Sequence, residues 1–115
     1  MLFIHNEMVA ELLNMDECIL AQEEAFKDLS KGRATHRPRS DIYAPCERED
    51  GYYRWGTMEG YSKGYLAIRM KSDVMTWPVA DDGSWTEDKY CVKPGTYCGL
   101  IMLFSAQNGE PLAFI

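Results

Sequence analysis

Two short runs in this 115-residue chain place cations and carboxylates at alternate positions: Arg37, Arg39 and Asp41, then Arg69, Lys71 and Asp73. Residues two apart on an extended strand share a face, so each run would present two cations and one acid on the same side. The second run sits inside Leu66-Ala67-Ile68-Arg69-Met70-Lys71-Ser72-Asp73, where Ala67 shares the cationic face while Ile68 and Met70 point the opposite way. Cations on the polar side of an apolar strand are costly to bury unless an anion meets them. Arginine offers a planar fork matched to a carboxylate, and two such strands side by side would grip a small acid. The same spacing also permits mutual pairing with Asp41 and Asp73, an exposed ladder of weak salt bridges, and spacing alone favours that plainer arrangement.

The elements that must position these residues change character near Gly32. Leu2-Phe3-Ile4 forms a short apolar strand, and Asn6 is placed to cap a brief helix through Leu13. A stronger helix opens at Asn14, where Asn14-Met15-Asp16-Glu17 has the form of a capping box with Glu at the third helical position. Cys18, Ile19, Gln22, Ala25, Phe26 and Leu29 recur at steps of three and four, which predicts one buried stripe, and Gly32 is the expected stop. Beyond it the pattern is stranded. Arg37 to Tyr43 is extended, with Pro38 restricting it to a sheet edge or a strand start. Asp50-Gly51 signals a hairpin, Tyr52 to Glu59 and Gly64 to Met75 read as strands, and Trp77 to Lys93 as a long loop. Gly99 to Phe104 is continuously apolar and reads as the most central strand, with Asn108-Gly109 turning the chain into a returning strand from Pro111. Arg54, Trp55, Met58 and Glu59 are candidates to line a pocket, although sheet core is the plainer reading of Trp55. The fold class is therefore α+β: N-terminal helices packed on a mixed, mostly antiparallel sheet.

Composition narrows the function classes. At 46% hydrophobic and 26% charged the chain is ordinary globular material. Its net charge of -6 and isoelectric point near 4.8 argue against nucleic acid and against an anionic membrane surface. No apolar run approaches the roughly 20 residues that span a bilayer. The N-terminus lacks the form of a secretory signal, so a cytoplasmic location with four reduced thiols is expected for Cys18, Cys46, Cys91 and Cys98. No CxxC pair occurs, and His5 and His36 complete no metal-ligand spacing. Neither a dinucleotide GxGxxG nor a triphosphate loop is present.

Taken in order, several segments carry a resemblance. Met15-Asp16-Glu17-Cys18-Ile19 leads to Glu23-Glu24-Ala25-Phe26, then Gly32-Arg33-Ala34, Arg37-Pro38-Arg39, Met58 and Gly64-Tyr65-Leu66-Ala67-Ile68-Arg69. Pro94-Gly95-Thr96-Tyr97-Cys98-Gly99-Leu100 and Asn108-Gly109-Glu110-Pro111-Leu112-Ala113 complete the series. Each motif is weak alone, but their order and spacing resemble the N-terminal region of the ornithine cyclodeaminase and mu-crystallin family, nearly end to end. That resemblance implies an α+β domain, residues 1–115, that binds an amino-acid or imino-acid substrate and forms a homodimer, while a following Rossmann domain binds NAD(H) or NADP(H). It implies that Arg39 holds the substrate carboxylate, that Met58 lies near the substrate and that Thr96 contacts the nicotinamide cofactor. The family's strand lysine aligns with Arg69 here, with Lys71 one step further along the same face. Arginine keeps its proton near neutral pH, whereas a lysine of depressed pKa can release one.

The resemblance stops at the strand from Pro111, before the family's dinucleotide fold and catalytic aspartate. A hydride reaction requires a place for the cofactor. The expectation is therefore a truncated, partial domain of amino-acid metabolism, inactive by itself, with no cofactor bound by this chain alone and no catalytic residue or metal assigned. Its expected partners are a small amino or keto acid, a second copy and possibly a separate Rossmann-domain chain. The alternative is a free-standing dimeric module that binds a small acid without catalysis.

Overall fold

A computed structural model describes residues 1–90 and 98–115, excepting the side chain of Cys98. The elements run β1 (Leu2–Phe3), α1 (Asn6–Leu12), α2 (Met15–Ser30), β2 (Thr35–Pro45), β3 (Gly51–Ser62), β4 (Tyr65–Thr76), β5 (Asp88–Tyr90), β6 (Cys98–Ser105) and β7 (Pro111–Phe114). Two helices with a mixed sheet make this an α+β chain, as the sequence pattern requires. The sheet order is β1-β7-β6-β4-β3-β2, with β5 pairing β4 off this path. Proline 38 thus lies on the edge strand β2, where its missing N–H disrupts no central ladder, and the apolar β6 lies in the sheet interior. Strand β1 is parallel to β7 through Leu2↔Ala113 and Phe3↔Phe114, and β6 meets β7 antiparallel with a bulge between Leu103 and Phe104.

The capping box of α2 forms as its spacing demands. The Glu17 N–H donates to Asn14 Oδ1 at 2.9 Å, and the Asn14 N–H donates back to Glu17 Oε2 at 3.3 Å. Gly32, at φ +68, takes the left-handed position beyond the C-cap Lys31, and its N–H donates to the Leu29 carbonyl. Three expectations need correction. The N-cap of α1 is His5, not Asn6, because His5 holds the extended backbone while Asn6 is already helical; no side chain caps it. The α2 stripe is not a closed core: Ile19 is 57% and Phe26 67% exposed, while Cys18 and Ala25 are half-buried, because part of the stripe lines an open cavity instead of packing tightly. The segment from Trp77 is structured rather than loop throughout, since Val79 bridges Trp85 and β5 pairs Val74 to Thr76. Residues 91–93 of that segment lie outside the described residues.

The described residues form two compact units. One comprises Met1–Pro38, Met58–Arg69 and Leu100–Ile115. In it Lys63, in the turn between β3 and β4, pairs with Glu24 of α2, and Ala113 of β7 is its buried apolar residue. Residues of α2 including Ala25, Phe26 and Leu29 face His36, Tyr61 and Tyr65 across an open apolar cavity of about 400 Å³. The other unit comprises Arg39–Thr57 and Met70–Gly99, with Met75 fully buried. Its β2–β3 turn is held by an Arg48 fork on Asp50, and the Arg48 guanidinium stands 5.2 Å over the Tyr90 ring. No helix among the described residues is long and apolar enough to cross a membrane. Replacing Asn14 by Ala removes the cap acceptor and is expected to lower stability by about 1 kcal/mol, read as a reduced urea midpoint at unchanged slope.

Candidate functional site

In the unit built from residues 39–57 and 70–99, strands β3 and β4 bury polar residues at positions where alternation calls for core. Arg54 shares its face with Gly56, and Asp73 shares its face with Met75. All four are buried, and Arg54 and Asp73 are each 3% exposed. An unpaired charge at either place would carry a large desolvation penalty, so each requires the other. They meet as a two-point fork: Arg54 Nε donates to Asp73 Oδ1 at 2.9 Å and Nη2 donates to Oδ2 at 2.7 Å. Lys71, one face-step before Asp73, brings its ammonium to Oδ2 at 3.0 Å. One carboxylate therefore serves two cations.

The titration of Asp73 reflects this competition. Burial, the largest single influence, pushes its pKa up, but hydrogen bonds and charge from Arg54 and Lys71 together outweigh it and leave the carboxyl below its ordinary range. The Arg54 pKa moves up, through its bond to Asp73 first, against the effect of burial, and then through the charge of Asp73, a bond to Tyr43 and the charge of Asp41. Asp41 extends the cluster toward solvent. Its Oδ2 forms an ion pair with Arg39 Nη2 at 2.9 Å, with Asp41 13% and Arg39 54% exposed at the side chain. Its Oδ1 is buried and accepts no hydrogen bond among the described residues. That oxygen lies against Gly56, where a Cβ would come within 2.5 Å of it, so a side chain there would displace the Asp41 carboxylate. The cluster thus holds Arg39, Arg54 and Lys71 against Asp41 and Asp73, one positive charge in excess.

The remaining candidates fall elsewhere. Arg69 and Met58 belong to the other unit, where Arg69 Nη1 approaches Met58 Sδ at 3.7 Å. Arg37 does not join Arg39 and Asp41 but forks onto Glu59, at 2.7 Å from Nε and 2.6 Å from Nη2. Thr96 lies outside the described residues. The pairings that spacing alone favoured, Arg39 with Asp41 and Lys71 with Asp73, are both present. Sequence reasoning missed the central place of Arg54. Its signal was there: a lone cation inside the aromatic run Tyr52-Tyr53-Arg54-Trp55 needs an internal carboxylate, and Asp73 is the acid embedded in apolar β4. Cys18 and Cys46 are free thiols, and no group of three metal-ligating side chains occurs among the described residues.

No protein-family model matches the chain, and no curated protein matches it significantly. Among solved structures, it is similar to an archaeal alanine dehydrogenase, described as a dimer with bound NAD. The two share 27% identity at a TM-score of 0.67, over 98% of this chain and 30% of that one. The likeness supports a related family as well as a common α+β fold. The chain spans less than a third of that dehydrogenase's length.

Two outcomes follow from the buried fork. Replacing Arg54 by Met takes the two-point partner from a buried carboxylate and is expected to cost about 3–5 kcal/mol, measured by urea unfolding. The folded pKa of Asp73 lies below its ordinary 3.8, so its stabilisation is complete above that value and disappears as pH falls through the folded pKa. An Asp73→Asn variant should therefore show a flatter loss of stability below about pH 4 in acid titrations followed by circular dichroism. Replacing Gly56 by Ala forces Asp41 aside and should cost about 1–3 kcal/mol, with Arg39 losing its carboxylate partner in a crystal structure of the variant.

Proposed function

We propose that this chain is the substrate-binding and dimerisation domain of a protein in the ornithine cyclodeaminase and mu-crystallin family. It holds a small amino, imino or keto acid by its carboxylate. The observation that carries the reading is the single excess positive charge in the cluster of Arg39, Asp41, Arg54, Lys71 and Asp73. A cluster of that composition, largely out of water, lowers its energy by accepting one anion. Arg39 is its exposed end and Lys71 the next most accessible cation, so these two are the proposed ligand contacts. The similarity to part of an NAD-bound dehydrogenase dimer supports the reading from outside the sequence.

The resemblance alone assigns Arg69 and Met58 as substrate contacts and Thr96 as a contact of the nicotinamide cofactor, independently of the cluster. NAD(H) or NADP(H), bound on a Rossmann unit, would supply the hydride chemistry. This chain's residues bind and orient the acid. Arg39 and Arg69 would contribute through their charge and planar forks rather than by proton transfer. The homodimer is proposed on the same resemblance.

Thermal unfolding in the presence of millimolar alanine, proline, ornithine, pyruvate and 2-oxobutyrate tests the reading. A ligand at five times its Kd adds about 1 kcal/mol, a rise of several degrees for a domain of this size. At least one acid is expected to raise the midpoint, and Arg39→Ala is expected to abolish that rise. The proposal is abandoned if no acid shifts the wild-type chain, or if Arg39→Ala responds as the wild type does.

A further inference from the structure

Folded proteins hold few voids larger than a water molecule, so the open space of about 400 Å³ beside α2 calls for a reason. Every residue that lines it belongs to the unit of Met1–Pro38, Met58–Arg69 and Leu100–Ile115. The reason lies in side-chain size. Helix α2 lends Ala25 to the lining, and strands β3 and β4 lend Gly60 and Ala67, where a leucine or phenylalanine would ordinarily close the gap. At Gly60 an added Cβ would meet only the Thr35 carbonyl oxygen, at 3.9 Å, so the strand there borders open space. Phe26, Tyr61 and Tyr65 bring aromatic rings to the lining, and Phe26 and Tyr65 stay exposed. Among the described residues no Asp, Glu, Lys or Arg lines the cavity, and no member of the charge cluster does.

We infer that this cavity is a binding site for a small uncharged aromatic molecule of one ring or two fused rings. The inference goes beyond the carboxylate-binding function and does not rest on it. The volume falls within the range of about 300–1,000 Å³ that small-ligand sites occupy, and well above the roughly 150 Å³ that admits benzene. An ionised ligand would shed hydration there and meet no counter-charge, which sets the preference for a neutral one. Flat rings suit a slot between a helix and a sheet, where the three aromatic side chains provide face and edge contacts. A second copy of α2 is a poorer occupant. The helix carries five acids and one lysine. Lys63 and Arg33 each pair with one of those acids, but acids remain in excess, so two such helices laid together would repel.

Titration of the isotope-labelled chain with indole, 2-naphthol and 2-naphthoate, followed by NMR, tests the assignment. Indole and 2-naphthol are expected to shift the methyl resonances of Ala25, Ala34 and Ala67 saturably, with Kd below about 1 mM. The anion 2-naphthoate shares the ring system of 2-naphthol and is expected to bind at least about tenfold more weakly. Gly60→Val fills the space with a residue suited to a strand, so it is expected to abolish the shifts while its urea midpoint stays level or rises. Should Gly60→Val fail to fold, Ala67→Leu fills the same cavity from β4, and the naphthol–naphthoate comparison on the wild type stands without either variant. Absence of saturable shifts in the wild type overturns the inference. Equal binding of 2-naphthoate, or unchanged binding in a folded filled variant, does the same. Methyl shifts that depend on protein concentration with no probe added assign the cavity to a second copy and overturn the small-molecule reading.

Discussion

The carboxylate of Asp73, enclosed and shared by Arg54 and Lys71, is the interaction on which the rest of the cluster depends. Its burial raises the energy of the charged form, and only the three converging donors bring the carboxyl below its ordinary pKa. Without the acid, two cations would face each other inside the sheet surface. Without Arg54, the acid would lose its two-point partner and keep the single contact from Lys71 at a place closed to water. Fork geometry matters here because it engages both oxygens of Asp73 in fixed directions.

Buried ion pairs are weak evidence of stability, because apolar residues of similar volume often serve equally well. Their presence in β3 and β4 is therefore not explained by packing energy, and it suits the proposed role in recognition. The gradient of exposure agrees: the innermost pair is closed on itself, while Arg39 and Lys71 lie progressively nearer solvent. Asp41 ties the outer pair to the inner one, since its charge acts on Arg54 while its Oδ2 engages Arg39. Gly56 is part of the same construction, because the absence of a side chain there makes room for the Asp41 carboxylate.

Much of the fold was readable from local signals. The capping box at Asn14 and Glu17, the stop at Gly32 and the turns at Asp50-Gly51 and Asn108-Gly109 each depend on a few adjacent residues, so their chemistry survives any tertiary context. Signals that depend on what lies opposite were less readable. The α2 stripe has a helical period, but a period states only which residues share a side, and here that side lines an open cavity. The short strand β5 exists because β4 offers free edge at Val74 to Thr76, which nothing within Asp88 to Tyr90 announces.

The candidate site divides along the same line. Alternation along β2 and β4 was enough to put Arg39 with Asp41 and Lys71 with Asp73, because residues two apart on one strand must share a face. The sequence by itself thus determined the α+β class, the strand-borne cations and their acidic neighbours. Only the tertiary structure decided that Arg54 closes on Asp73, nineteen positions away, that Arg37 turns to Glu59 instead, and that one positive charge is left over. Those choices depend on which strands become neighbours and how deeply each charge is enclosed, and desolvation is a property of the assembled sheet rather than of any single segment.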